Sequence, residues 1–357
     1  MKPILKSLLF LLLIGLLYLC FYPIDLQPVA RKSPPNPGRT GEYEVNNLLA
    51  HIDLIKVSGI GPESIVQDSL GNFFSGLENG DIIQLDSSLS NQTVIGNTGG
   101  RPLGMKIAPN GLLIIADQHL GLIAMDRKGK VTVLLNEIED TPILFADDLD
   151  ITKEGVVYFS DATQRNPIEI ENEFWEQRPS GRIISYDLNS KEAVVVIDNL
   201  FFANGVALDS NEDFIIVNET FGPQILKHWI GGEKKGTTEI FNDFLPGYPD
   251  NVTFANDTFW VAIPSQRAVE VEPLTELPFL RSILLRLPRF FIEGATPEPY
   301  GMVLGFDRIG NLKYNLQDPK GGFDYITSVL QIGDKLYLGS LKETGIGIYT
   351  LKQNNND

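Results

Sequence analysis

Short runs of aliphatic and aromatic residues, separated by turn residues, follow one another along most of the chain after residue 45. Five of these runs share one pattern, a turn followed by apolar residues and then a small or acidic residue: GLLIIAD, GVVYFSD, DFIIVNE, TFWVAIP and KLYLGSL. Runs of this length, bounded by Gly, Pro, Asn and Asp, are typical of β-strands. Stretches of helical period are almost absent from this region, so the pattern predicts an all-β fold.

The strand that precedes each of these runs has a recurring start. The first five starts lie 40 to 57 residues apart, and the sixth follows after a further 77 residues. A period in the forties is typical of a four-stranded propeller blade. The six starts are GPESIVQD at Gly61, RPLGMKIA at Arg101, FADDLDIT at Phe145, FANGVALD at Phe202, YPDNVTFA at Tyr248 and YITSVLQI at Tyr325.

Six starts predict a six-bladed β-propeller over residues 45–352. We expect the segment 45–57 to pair with the C-terminal strands and close the ring. A sandwich of two sheets is the alternative, but it does not account for the repeated unit. A polar tail, residues 353–357, follows the propeller.

The long last interval predicts an insertion at about residues 267–300. It contains PFLRSILLRLPRFF, residues 278–291, in which three arginines interrupt an apolar run. One interpretation is a helix packed against the propeller face, with its arginines reaching into solvent. The other is an amphipathic lid or a membrane-facing element. Both place the insertion near an opening of the ring.

The N-terminal residues 1–24 form a separate apolar segment. No charge occurs from Leu8 to Tyr22, and Lys2 and Lys6 precede this stretch. Its length lies between that of a signal-peptide core and that of a membrane span, so a cleaved signal and a single-pass signal-anchor are both open. We favour the anchor, because no small-x-small cleavage site follows Tyr22. A Pro-rich linker, residues 25–44, then leads to the propeller.

The lysines that precede the apolar segment predict that the propeller lies on the extracytoplasmic side, whether periplasmic, lumenal or extracellular. If the segment is cleaved, the protein is secreted instead. In a eukaryotic secretory route, Asn-x-Thr sequons are candidate glycosylation sites. The chain has them at Asn91, Asn218, Asn251 and Asn256, and we expect Asn251 to be buried and unmodified.

The chain is strongly acidic, with 46 Asp and Glu residues against 29 Lys and Arg residues and a net charge of −17. Such a charge repels phosphate backbones, so nucleic acid is not an expected partner. Metal cations and neutral small molecules fit the charge better.

The first strand of every propeller blade lines the central channel, so residues at the strand starts converge on the axis. In four blades this position holds an oxygen-bearing side chain, from Glu63, Asp147, Asn204 and Asp250; in the other two it holds Leu103 and Thr327. Carboxylate and amide oxygens are the ligands that Ca²⁺ prefers. Taken singly, Asn204 and Asp250 are ordinary turn residues. Four coincident positions favour a Ca²⁺ site.

The combined motifs GPES, RPLGMKIAPNGLLIIAD, FADDLDI with VYFSD, FFANGVALDSNEDFIIVNET, LPGYPDNV and KLYLGSL resemble the strictosidine synthase-like family of six-bladed propellers. The wider superfamily includes gluconolactonases, senescence-marker type lactonases and paraoxonases, whose central Ca²⁺ is held by Glu, Asn, Asn and Asp. The resemblance implies that Glu63, Asp147, Asn204 and Asp250 are the ligands here. Asp147 departs from the family's usual Asn and adds a negative charge. Thr327 stands where strictosidine synthases proper have a catalytic Glu.

The leading hypothesis is a Ca²⁺-dependent hydrolase of small-molecule esters or lactones, of the arylesterase or lactonase type. Glu63 and Asp250 are the candidate proton acceptors, and His119, which follows a strand near the same face, is a candidate general base. The competing hypothesis is a non-catalytic, membrane-anchored binding propeller with a structural ion. A strictosidine synthase-like condensing enzyme is the third, which Thr327 disfavours because threonine cannot perform the proton transfers.

Overall fold

The computed structural model describes residues 2–168, 170–269, 271–288 and 299–352. Its strands form six antiparallel sheets arranged as the blades of a propeller, which confirms the all-β prediction. Each prediction of a blade start falls at the innermost strand of a blade. Residues 270 and 289–298 of the predicted insertion and the polar tail 353–357 lie outside the described residues.

The first strand along the chain, β1 (Asp53–Lys56), belongs to the last blade of the ring. Blade 1 contains β2 (Ile65–Gln67), β3 (Phe73–Gly76), β4 (Asp81–Leu85) and β5 (Gln92–Asn97). Blade 2 contains β6 (Pro102–Ile107), β7 (Leu113–Asp117), β8 (Gly121–Met125) and β9 (Val131–Leu135), and a short hairpin of β10 (Glu137–Ile138) and β11 (Thr141–Pro142) follows it.

Blade 3 contains β12 (Ala146–Ile151), β13 (Val156–Asp161), β14 (Gly181–Asp187) and β15 (Ala193–Leu200). Blade 4 contains β16 (Ala203–Leu208), β17 (Phe214–Glu219), β18 (Gln224–Trp229) and β19 (Thr238–Asn242). Blade 5 contains β20 (Gly247–Tyr248), β21 (Val252–Ala255), β22 (Thr258–Gln266), β23 (Pro299–Phe306) and β24 (Leu312–Asp318). Blade 6 contains β25 (Ile326–Ile332), β26 (Lys335–Ser340), β27 (Gly345–Thr350) and β1.

The ring closes by pairing the two ends of the propeller. Strand β1 adds to β27 in antiparallel register, with Asp53 opposite Ile348 and Lys56 opposite Gly345. The outer strand of blade 6 therefore comes from the N-terminal side of the propeller, as the sequence predicted. Closure removes the free edge that an open sheet would expose.

Six apolar clusters hold the blades together, one at each interface between neighbouring blades. Between blades 4 and 5, for example, Phe214 and Ile216 pack with Phe259 and Met302. Each sheet is covered by a neighbouring blade on either side. Side chains of a strand point alternately to the two faces, and both sets are therefore apolar. This packing fixes the innermost strands around the axis.

The helices lie on one face of the ring. They are α1 (Lys2–Phe21), α2 (Glu171–Glu176) and α3 (Pro278–Leu284), with short 3-10 helices at Gly41–Tyr43 and Glu272–Glu276. Helix α2 lies between β13 and β14, the second and third strands of blade 3. Helix α3 lies between β22 and β23, which are the second and third strands of blade 5 because β20 and β21 both pair with β22 and form one interrupted first strand. Because strands alternate in direction, these connections lie on the face where the first strands begin. We call this the insertion face, and its reverse the opposite face.

Helix α3 bears out the interpretation of a helix packed on the propeller, but the expectation of a solvated arginine is wrong for Arg281. Arg281 is only 1% exposed. It donates hydrogen bonds to the carbonyl oxygens of Leu274 at 3.0 Å and Thr275 at 2.9 Å. Backbone carbonyls from neighbouring segments, rather than water, therefore satisfy this guanidinium.

Helix α1 is long and apolar enough to cross a membrane by length and composition, a test that signal sequences also pass. The linker that follows is docked on the insertion face. The N–H of Val29 donates to the carbonyl oxygen of Glu176, and the N–H of Arg31 donates to that of Thr275, both at 2.9 Å.

Candidate metal centre

A cavity of about 340 Å³ opens at the axis on the insertion face. Its floor contains the residues at the six strand starts, which we call the start residues: Glu63, Leu103, Asp147, Asn204, Asp250 and Thr327. Its walls are largely aromatic, with contributions from Phe145, Phe174, Phe202, Phe221 and Tyr248. The structure thus brings together, around one cavity, all six positions that the repeat placed in register.

A β-bulge directs four of the start residues toward the axis. The pairing of the first and second strands shifts register at the equivalent place in blades 2, 3, 4 and 6. In each case the shift brackets the start residue, as between Ala146 and Leu149 around Asp147. A bulge inserts an extra residue and re-aims its side chain. The irregularity is therefore part of how the fold builds the cavity floor.

Three carboxylates meet on this floor. Oxygen atoms of Glu63, Asp147 and Asp250 all lie within 4.8 Å of one another. Burial raises the pKa of Glu63 to about 7, although the nearby Arg101 guanidinium opposes the shift. Burial also raises the pKa of Asp147 and of Asp250 well above their ordinary values, and the neighbouring carboxylates raise both further. The cluster therefore needs protons or a cation.

The polar atoms of this floor fit a cation better than an internal network. The Oδ1 atoms of Asn204 and Asp250 are buried and have no hydrogen-bond partner within the described chain. The Asn204 amide hydrogen-bonds Asp250, which leaves its oxygen free to face the cavity. A buried oxygen without a partner is costly. Three carboxylates and one amide oxygen form a donor set that suits a hard divalent cation.

Hydrogen bonds to its backbone groups hold the segment around Asp250 in place. The N–H of Asp250 donates to the carbonyl oxygen of Ala262 at 2.9 Å. The Thr220 hydroxyl donates to the carbonyl oxygen of Pro249 at 2.8 Å. A Cβ at Gly205 would lie 2.5 Å from the carbonyl oxygen of Asp250, so this close approach requires glycine. The GYPDN turn is thus held rigidly, and its carboxylate has a defined direction.

Arg101 is a member of the site that the sequence interpretation missed. It is buried, and its Nη2 lies 3.5 Å from Oε2 of Glu63. It also donates to the carbonyl oxygen of Gly61 at 3.3 Å. The available signal was an arginine at the start of the RPLGMKIA repeat, directly before the innermost strand β6.

The remaining candidates differ in their distance from the acid cluster. His119 is exposed and is not among the described residues that line the cavity, although its neighbour Gln118 is. Its role as a general base stays a prediction. Thr327 does line the cavity, and its hydroxyl donates to the carbonyl oxygen of Glu63 at 3.2 Å. Asn251 is buried, as expected of a sequon beside the axis.

Residues 147–233 match the sequence profile of strictosidine synthase, and residues 41–85 match that of the N-terminal part of strictosidine synthase-like proteins. STRICTOSIDINE SYNTHASE-LIKE 13 of Arabidopsis thaliana is 31% identical to this chain, over 83% of either protein. The chain belongs to the strictosidine synthase-like family. Another relative, the adipocyte plasma membrane-associated protein of Bos taurus, is 30% identical over 92% of this chain and 85% of its own length.

Solved structures extend the fold beyond the strictosidine synthase-like family. A gluconolactonase of Xanthomonas campestris superposes with a TM-score of 0.64 at 13% identity, covering 92% of this chain and 99% of its own. Regucalcin of Agrobacterium tumefaciens, a calcium-binding protein, superposes with a TM-score of 0.58 at 13% identity, covering 82% and 94%. At such identities the likeness shows a common propeller fold.

Proposed function

We propose that this protein is a Ca²⁺-dependent hydrolase of small-molecule esters or lactones. The observation that carries the proposal is the cavity floor, where two unpartnered buried oxygens stand among three converging carboxylates. The family's structural neighbours support it, because one is a gluconolactonase and another is a calcium-binding protein. Glu63, Asp147, Asn204 and Asp250 would hold the ion, and water or substrate would complete its coordination.

When bound, Ca²⁺ would supply a Lewis acid that polarises the substrate carbonyl and stabilises the developing oxyanion. The chain supplies the rest. Phe145 and Phe202, whose ring centroids are 5.4 Å apart, form an apolar wall that binds the hydrocarbon part of a substrate and excludes water. Glu63 or Asp250, both at the cavity floor, would accept the proton of an attacking water.

The full-length chain in detergent tests this proposal by its calcium content and its hydrolysis of phenyl acetate and a simple lactone, with and without chelator. We expect near-stoichiometric Ca²⁺ and chelator-sensitive turnover. Asn204→Ala should lower turnover by roughly 100-fold or more, the scale of removing one oxyanion-stabilising group. Asn91→Ala, in a turn on the opposite face, is the control. Full turnover in Asn204→Ala, or in excess chelator, contradicts the proposal.

A binding propeller with a structural ion is the second candidate. Apart from the acid cluster, no Asp or His and only one Glu, Glu171, is among the described residues lining the cavity, so the walls offer no histidine base. In that case chelation lowers the melting temperature while a panel of esters and lactones shows no turnover above background. A panel hit that disappears in Asn204→Ala excludes this candidate.

A further inference from the structure

The linker after helix α1 runs across the insertion face and is attached to it along its length. Arg267 donates to the carbonyl oxygens of Pro34 at 2.8 Å and Pro35 at 2.9 Å. Arg31 donates to the carbonyl oxygens of Phe221 at 2.6 Å and Gly222 at 2.8 Å. The route from α1 to the propeller is therefore fixed on the face that carries the cavity.

Two arginines of the insertion join this linker to the helices. Arg281, fully buried, donates to the carbonyl oxygens of Val29 in the linker and Trp175 in α2. Arg286 donates to the carbonyl oxygen of Tyr22, at the end of α1, at 2.6 Å. The C-terminal end of α1 thus lies directly beside α3.

The same face exposes large apolar side chains. The exposed fractions are 87% for Ile168, 57% for Val269, 58% for Phe279 and 42% for Leu280. All four belong to connections between second and third strands, so all lie on the insertion face. Phe279 and Leu280 are adjacent on α3, and exposed apolar surface of this kind marks an interaction site. On the opposite face, Leu70 and Ile309 are exposed singly in turns of different blades, which is ordinary for a protein surface.

We infer that the insertion face rests on the lipid bilayer that helix α1 enters, with Phe279 and Leu280 of α3 in the membrane interface. The bilayer is the occupant because the apolar surface adjoins the end of the chain's own candidate membrane span. A short amphipathic element beside such a span lies in the interface plane.

The accessible sequons are consistent with this orientation. Asn91 and Asn256 are exposed, and both lie in turns on the opposite face. Asn218 and Asn251 are buried. A glycan at either exposed site would point away from the bilayer, and none would interfere with its contact.

The orientation has a consequence for substrates, which rests on the proposed function. Leu284 and Leu285, at the end of α3, pack against the apolar cluster that contains Phe174 and Tyr248, two residues that line the cavity. One apolar layer therefore separates the membrane-facing helix from the site. The cavity opens on the face toward the lipid, so it takes lipophilic esters or lactones that partition into the bilayer.

Site-specific fluorescence tests the membrane contact without any reference to catalysis. In a full-length Cys20→Ser background, Phe279→Cys and Leu280→Cys on α3, and Ile309→Cys on the opposite face as the matched control, are labelled with the environment-sensitive dye NBD. The proteins are reconstituted into phosphatidylcholine vesicles containing doxyl-labelled lipid. We expect blue-shifted, doxyl-quenched emission at positions 279 and 280 and neither effect at 309. Equal, unquenched emission at all three positions overturns the inference.

The substrate arm compares long-chain and acetate esters of p-nitrophenol on the same vesicles. Phe279→Ser/Leu280→Ser should lower hydrolysis of the long-chain ester severalfold and leave the acetate rate unchanged, because neither residue lines the cavity. An unchanged ratio overturns the substrate assignment. If the parent chain hydrolyses neither ester, the proposed function fails while the quenching result still decides the orientation.

Discussion

Strand β12 carries Asp147, whose carboxylate lies on the cavity floor, and Asp148 and Asp150, whose carboxylates lie below it. The groups that pair with these carboxylates differ. Asp148 accepts a hydrogen bond from the Val206 N–H at 3.1 Å. Asp150 accepts one from the Leu208 N–H at 3.0 Å and pairs with Lys106 at 3.2 Å. Asp147, one position earlier than Asp148, instead faces the carboxylates of Glu63 and Asp250.

The difference separates two ways of burying negative charge. Below the floor, the fold supplies its own donors and its own cation, Lys106. On the floor, the nearest cation is Arg101, which reaches Glu63 at 3.5 Å and cannot serve three carboxylates. Buried charge without a partner is strongly destabilising. The lower group therefore has donors and a cation within the chain, although burial still raises the pKa of Asp148 to about 7. The upper group has only Arg101 as an ion-pair partner among the described residues.

The largest expected effect comes from breaking the upper group. Asp250→Asn removes a carboxylate from the floor and keeps its shape, so the Ca²⁺ dissociation constant should rise by roughly 100-fold or more, above the range seen for groups that only support a ligand. Ester hydrolysis should fall in parallel. Isothermal titration of the full-length chain and initial rates at saturating Ca²⁺ measure the two effects.

Asp150→Asn is the matched control in the lower group. It weakens the pair with Lys106 and should lower the unfolding free energy by about 1–3 kcal/mol, the cost of leaving a buried polar group underpaired. Its Ca²⁺ affinity should match that of the parent chain. Equal losses of affinity in both variants would show that the two groups act as one, and that the contrast between them has no bearing on metal binding.

A smaller effect is expected from Asp147→Asn, which replaces the carboxylate by an amide of the same shape. Ca²⁺ affinity should fall by about 10-fold, because one charge is lost while an oxygen ligand is kept. In chelator, the same variant should unfold at a higher denaturant concentration than the parent, since like-charge repulsion with Glu63 and Asp250 is relieved. A variant that is less stable in chelator would argue against that repulsion.

The sequence predicted the features that recur in every blade, and it missed the contacts that occur only once. Six recurrences of one strand start located the blades, and the shared register located the floor residues, because every blade meets the same axis. The burial of Arg281 and the docking of the linker depend on contacts between segments more than 100 residues apart, as between Arg281 and Trp175. No period encodes such contacts. Arg101 was missed for a similar reason, since its partner Glu63 belongs to the preceding blade.

The pH dependence of the protein's stability is the smallest effect expected from this comparison. Burial raises the pKa of Glu63 from 4.5 to about 7, so the stability contributed by its neutral form is complete below 4.5 and is lost as the pH rises through 7. The chelated protein should therefore become less stable as the pH rises from about 4.5 to about 7. Ca²⁺ competes with the same proton, so the rise in melting temperature on adding Ca²⁺ should grow across this interval. Melting curves with Ca²⁺ and with excess chelator at each pH measure that rise. A rise that is constant with pH would mean that no proton leaves Glu63 when the ion binds.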